Sequence, residues 1–192
     1  MKFFMDKLLP GITAGLLIGF AGAIYERVDN HYIGAVLFAI GLIAVLEYKC
    51  ELFTGQVGYL TKWKPHLATI LAANVFGAWI MGMIFPMAGE LARLDKTLPE
   101  AFVAAFGCGI LMFLAVNGAG RVWPLLCVPA FILAGFEHSI ADAFYLSSHR
   151  AWSTESFVWL LAVAAGNAAG ALTIGTLILQ HKKNREKSAA NQ

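Results

Sequence analysis

Long charge-poor stretches alternate with short polar clusters along this chain. The apolar stretches lie at about 8–25, 32–60, 66–88, 101–118, 122–146 and 156–180, and each reaches the roughly 17–25 residues with which a helix crosses a bilayer. The pattern predicts six transmembrane helices. The first run, Leu8 to Tyr25, follows Lys2 and Lys7 and passes through Ala21-Gly22-Ala23, features that a signal peptide shares. It is longer than the apolar core of a signal peptide, so it reads as a retained helix.

Composition supports this reading. Of 192 residues, 59% are hydrophobic and 14% charged, and mean hydropathy is +0.68, which excludes an ordinary soluble domain. Six spans use up most of the chain, leaving a single transmembrane domain over 1–181 and a basic tail over 182–192, with no length for a separate catalytic domain. Sorting the fourteen Lys and Arg among the connections gives the orientation. With a cytoplasmic N-terminus, Lys2, Lys7, Lys62, Lys64, Arg121, Lys182, Lys183, Arg185 and Lys187 fall inside. Arg27, Arg93, Lys96 and Arg150 fall outside, and Lys49 lies within a span. This inside excess predicts a multi-pass protein of the inner or plasma membrane with both termini in the cytoplasm. The tail from His181 reads as a solvated basic end or a headgroup contact. Cys50, Cys108 and Cys127 all sit in apolar stretches and read as core cysteines. The pattern calls for no cofactor or metal, and the modest net charge gives no reason to invoke nucleic acid.

Two spans carry charge where charge is expensive. The second contains Glu47-Tyr48-Lys49-Cys50-Glu51-Leu52-Phe53-Thr54-Gly55-Gln56, and the fifth contains Gly135-Phe136-Glu137-His138-Ser139-Ile140-Ala141-Asp142. Both read as interruptions of the helix. In each half the interrupted span is followed by Asn-x-x-Gly, at Asn74 and Gly77 and again at Asn167 and Gly170. Three spans per half is an odd number, so the second half is inverted relative to the first, with repeats at about 7–90 and 100–181. Paired broken helices in inverted repeats place a substrate site near the membrane midplane, which points to a channel or transporter.

Glu51-Leu52-Phe53-Thr54-Gly55 and Gly135-Phe136-Glu137-His138-Ser139-Ile140-Ala141 resemble the two hallmark segments of the formate/nitrite transporter family. Gly11-Ile12-Thr13-Ala14-Gly15, Asn74 with Gly77, and Gly166-Asn167 fit its pattern in the same order. The resemblance implies an aquaporin-like six-helix protomer, a homopentamer with one pore per protomer, and passage of small monovalent anions such as formate, nitrite, hydrosulfide, acetate or lactate. It implies that His138 is the central pore histidine and that Leu52, Phe53 and Thr54 form the loop of the broken second span. By the same resemblance Phe38, Leu42 and Phe131 line the constrictions, Glu51 and Glu137 tie down the breaks with Ser139 beside them, and Asn167 stands beside the pore.

The residue types suit that role. A bare anion in a narrow apolar pore faces a prohibitive desolvation penalty. A histidine can offer a proton or a strong hydrogen bond, Thr54 can donate and accept, and the freed N–H groups of broken helices add positive potential. Transport is therefore expected to be proton-linked or to pass the neutral acid. Phe38, Leu42, Val45 and Lys49 follow one helical face, the stripe expected to face the pore. Lys49 then either faces the pore as a cation or pairs with Glu137, Asp142 or an adjoining protomer. Asp142 replaces the asparagine usual after Ser-Ile-Ala in the family. The chain shows no counterpart of the family's N-terminal amphipathic segment. Gly11, Gly15 and Gly19 form a small-residue face for contact between protomers or within one. The alternatives are a pore for small neutral solutes, disfavoured by the lack of an Asn-Pro-Ala pair, and an intramembrane enzyme using Ser139 and His138. As sequence neighbours, these two are poorly placed as nucleophile and base.

Overall fold

The computed structural model describes residues 2–59, 66–118 and 120–190. Lys62 and Lys64, counted above toward the orientation, lie outside the described residues. All regular structure among those residues is helical: α1 (Lys2–Tyr25), α2 (His31–Glu47), α3 (Phe53–Gln56), α4 (His66–Ile84), α5 (Leu98–Asn117), α6 (Val122–Leu133), α7 (Ser139–Ser148) and α8 (Thr154–Ala190). One-turn 3₁₀ segments follow α3 at Val57–Tyr59 and precede α5 at Ala92–Asp95.

Local chemistry sets several of these boundaries. Asn30 caps α2 by accepting from the Ile33 N–H at 3.0 Å, and Thr97 with Glu100 forms a reciprocal capping box at the start of α5, with Pro99 in its first turn. Four helices, α1, α4, α5 and α8, are long and apolar enough to cross a membrane, while α2 and α6 are shorter apolar helices. The two segments expected as long broken spans are thus resolved into α2 with α3 and α6 with α7. The breaks fall at Tyr48–Leu52 and Ala134–His138.

The basic tail is helical: α8 continues past the sixth apolar stretch through Lys182, Lys183, Arg185 and Lys187 to Ala190 without interruption. Its residues from Gln180 to Ala189 are exposed, so this last part extends beyond the packed body.

The long helices pack through glycine. A Cβ on Gly15 would overlap the Asn74 carbonyl, and one on Gly77 would overlap the Ile12 carbonyl, so α1 and α4 lie with their backbones in contact. α5 and α8 repeat the arrangement through Gly109 against Asn167 and Gly170 against Phe106. Gly11, Gly15 and Gly19 face Ala73, Asn74 and Met81 in turn. The small-residue face therefore serves packing within the chain, and its rising register makes α1 and α4 parallel. Gly166, Gly170 and Gly175 of α8 likewise face Phe102, Phe106 and Phe113 of α5 in turn, so α5 and α8 are parallel as well.

The short helices cross between the two pairs. Gly58, after α3, meets Phe113 of α5 and Ala171 of α8, while α7 presents Phe144 and Ser147 to Gly22 of α1 and Gly82 of α4. The interior they close includes Phe38, Leu42, Ile70, Met112, Phe113, Ile140 and Phe144, all buried. The outer wall keeps large apolar side chains exposed, among them Val36, Ile40, Phe76, Trp79, Val103, Leu126 and Leu161, the reverse of a water-soluble surface.

Candidate functional site

Each break is clasped by one asparagine. Asn74 of α4 accepts from the Phe53 N–H at 2.8 Å, and its amide donates to the carbonyls of Gly11 and Glu51, both at 2.8 Å. Asn167 of α8 accepts from the Ser139 N–H at 2.9 Å and donates to the carbonyls of Ala105 at 2.9 Å and Glu137 at 2.8 Å. Irregular backbone leaves donors and acceptors that need partners away from water. A buried asparagine with two donors and an acceptor satisfies two of them and ties the break to a neighbouring helix through the third, at Gly11 of α1 or Ala105 of α5. Asn167, expected beside the pore, is fully buried, and both its amide hydrogens are taken up by this clasp.

The two clasps superimpose Glu51 on Glu137, Leu52 on His138 and Phe53 on Ser139. The first break thus carries an apolar side chain where the second carries an imidazole. His138 also caps α7: Nδ1 accepts from the Ala141 N–H at 3.2 Å, and Nε2 lies 3.0 Å from Thr54 Oγ1 on the other broken segment. With Nδ1 accepting, the neutral tautomer that satisfies both contacts carries its hydrogen on Nε2 and donates to Thr54. The Thr54 hydroxyl hydrogen is then free to donate elsewhere.

Two aromatic rings lead away from the histidine. The Phe131 ring stacks on His138 at 5.7 Å between centroids, and Phe38 meets Phe131 edge-on at 6.0 Å. Leu42 and Leu52 are buried in the same cluster. Phe53 does not join them; it packs with Val57, Leu67, Ile70 and Phe113 in a second cluster. Ser139 is held through its backbone, while its buried hydroxyl has no protein partner.

Lys49 departs from the expected stripe. α2 ends at Glu47, and Lys49 sits beyond it on a turn with φ +52° and an exposed side chain, so the face that carries Phe38, Leu42 and Val45 does not extend to it. Nor does it pair with Glu137 or Asp142. Glu47 meets Arg121, which precedes α6.

The cations that answer the buried carboxylates come from elsewhere. Lys7 of α1 pairs with Glu51. Arg93 donates to Glu137 Oε2 at 2.9 Å, comes within 3.5 Å of Asp142 Oδ1, and lies over the Tyr145 ring at 4.2 Å; Lys96 also pairs with Glu137. Burial alone would lower the Arg93 guanidinium, but the carboxyls of Asp142 and Glu137 beside it hold it above its ordinary value, so it stays cationic. Sequence reading left Arg93 and Lys96 as loop charges. The available signal was two carboxyls in one span with no cation of their own.

A family model described as "Formate/nitrite transporter" matches residues 2–181. Among curated proteins, the chain is 25% identical to a probable formate transporter of Methanothermobacter thermautotrophicus, over 85% of this chain and 83% of that protein. It is also 25% identical to the uncharacterized transporter YrhG of Bacillus subtilis, over 83% of this chain and 76% of that protein. The nitrite transporter NirC of Escherichia coli is 26% identical over 74% of this chain and 66% of its own length. Among solved structures, a pentameric formate channel with formate bound superposes with a TM-score of 0.74 at 23% identity, covering 94% of this chain and 98% of that one.

Proposed function

The chain belongs to the formate/nitrite transporter family, a family of membrane transporters and channels rather than enzymes, and from that premise we propose that it passes small monovalent anions such as formate, nitrite, hydrosulfide or a short monocarboxylate. The observation that carries this reading is the His138 to Thr54 contact, which joins the two broken segments beside the Phe131 and Phe38 rings in an apolar interior that includes Leu42 and Leu52. The matched asparagine clasps support a six-span protomer built as an aquaporin-like inverted repeat, with α2–α3 and α6–α7 as the broken spans. The pentamer named for the similar formate channel supports the same assembly here, in the inner or plasma membrane with both termini cytoplasmic.

The chemistry follows from the donors. An anion between apolar rings loses its hydration, and the pair offers it the free hydroxyl hydrogen of Thr54, or the Nε2–H of His138 where the anion takes Thr54's place as its acceptor. A neutral imidazole does not surrender its last proton, and a second proton on Nδ1 would face the Ala141 N–H that already occupies that nitrogen. His138 therefore supplies a hydrogen bond, the accompanying proton comes from solution, and the species at the centre is the hydrogen-bonded anion or its neutral acid.

The test is uptake into proteoliposomes of formate, nitrite, hydrosulfide, acetate and lactate across a pH series, with glycerol as the neutral control. A His138→Asn variant, which keeps a capping acceptor, is expected to lose anion flux by about tenfold or more and to stay folded. Absence of anion uptake, or uptake indifferent to this substitution, overturns the reading.

A further inference from the structure

The second break holds more charge than the first. Glu51 is met by Lys7. Glu137 and Asp142, with side chains 0% and 1% exposed, are met by Arg93 and Lys96. The sharing is unequal. Glu137 receives both cations, one on each oxygen. Asp142 has only the 3.5 Å approach of Arg93 to Oδ1 as a cationic contact, its carboxyl lies against that of Glu137, and its buried Oδ2 has no hydrogen-bond partner. Two buried carboxyls of unequal pairing do not take up a proton equally: the one with fewer donors takes it first, because its ionised form is the less supported.

The other titratable groups facing Asp142 are Tyr145 on its own helix and Cys108 of α5, a phenol and a thiol. Lys96 carries the cluster to the surface, its side chain being 34% exposed. Lys96 lines a surface recess of about 270 Å³ together with Thr97, Ser153, Glu155 and Ser156, on the face opposite the N-terminus. Glu155 is exposed there and screened by water.

We propose that Asp142 is a proton-binding site that switches the charge of this approach to the pore. With Asp142 ionised, Arg93 and Lys96 balance Glu137 and Asp142. Once the Asp142 carboxylate takes a proton from the adjoining solution, one positive charge is left over, one helical turn from His138. That charge attracts the anion at the pH at which a proton is available to travel with it. This inference rests on the anion-transport reading and assigns that site its pH regulation.

Asp142→Asn installs the uncharged form permanently and is nearly isosteric. It is expected to raise anion flux at alkaline pH on the order of tenfold, the effect of one charge at about 10 Å in an effective dielectric of about 20, and to flatten the wild-type rise toward acid pH. The double variant Arg93→Met/Asp142→Asn restores balance without a titrating group and is expected to return to the low alkaline flux at every pH. Infrared difference spectra supply a readout besides transport, a carboxylic-acid C=O band that titrates in wild type and disappears in Asp142→Asn. If flux depends on His138 but the Asp142→Asn profile superimposes on wild type, or the band persists, the switch is overturned while the transport reading stands. If neither protein carries anions, the transport reading itself fails.

Discussion

Asn74 and Asn167 make the same three hydrogen bonds, and each replaces backbone pairing that a continuous helix would have supplied. Asn74→Ala or Asn167→Ala removes three hydrogen bonds and leaves one N–H and one carbonyl of the break unpaired in a buried setting, while the Gly11 and Ala105 carbonyls keep their helical partners. At roughly 1 kcal/mol per net bond, with a larger penalty where the partner stays buried, each substitution is expected to lower stability by about 3 kcal/mol. Thermal unfolding in detergent measures this, and similar losses at the two sites are the expected outcome. Thr54 is a separate case because its hydroxyl joins the breaks without building either one. Thr54→Ser is expected to retain flux and Thr54→Val to lose most of it with little change in melting; equal flux in the two variants would remove the hydroxyl from the mechanism.

Between helices, the decisive contact is backbone against backbone. Gly77→Ala drives a Cβ into the Ile12 carbonyl and toward Gly15, where no flexible side chain can give way. Overpacking of this kind typically costs about 1–3 kcal/mol. A clear drop in melting temperature is expected for Gly77→Ala, against none for Val103→Leu on the exposed wall. Helix positions and the two interruptions were legible in the sequence because apolar runs, buried charge and Asn-x-x-Gly are local signals. The exact end of α2 was not. Lys49 was placed on the Phe38 stripe by extending a helical face past Glu47, where the chain turns through a positive φ instead. Arg93 and Lys96 were missed for a different reason: their partner Glu137 lies more than forty residues away, and no periodicity encodes a contact made by a connection folding back on a later span.

For the molecule as a whole, direction in the membrane is set by charge and checked by geometry. The parallel pairs put the start of α1 and the end of α8 on one face, and the connection between α4 and α5 on the other. α8 is about 55 Å long at 1.5 Å per residue, well beyond a hydrocarbon core of about 30 Å. Its exposed end carries Lys182, Lys183, Arg185 and Lys187, which favours a cytoplasmic position. Impermeant thiol labelling tests the orientation. Cys108 and Cys127 are buried and Cys50 is half-buried, so a Cys50→Ser background suffices. Ser188→Cys is expected to be protected in intact spheroplasts and labelled in inverted vesicles, and Glu90→Cys, exposed in the α4–α5 connection, to show the reverse. The opposite pattern would invert the protein and place the Asp142 cluster on the cytoplasmic approach. Under the expected orientation, the proton that Asp142 binds comes from outside, and acidification of that side alone is what should raise anion entry.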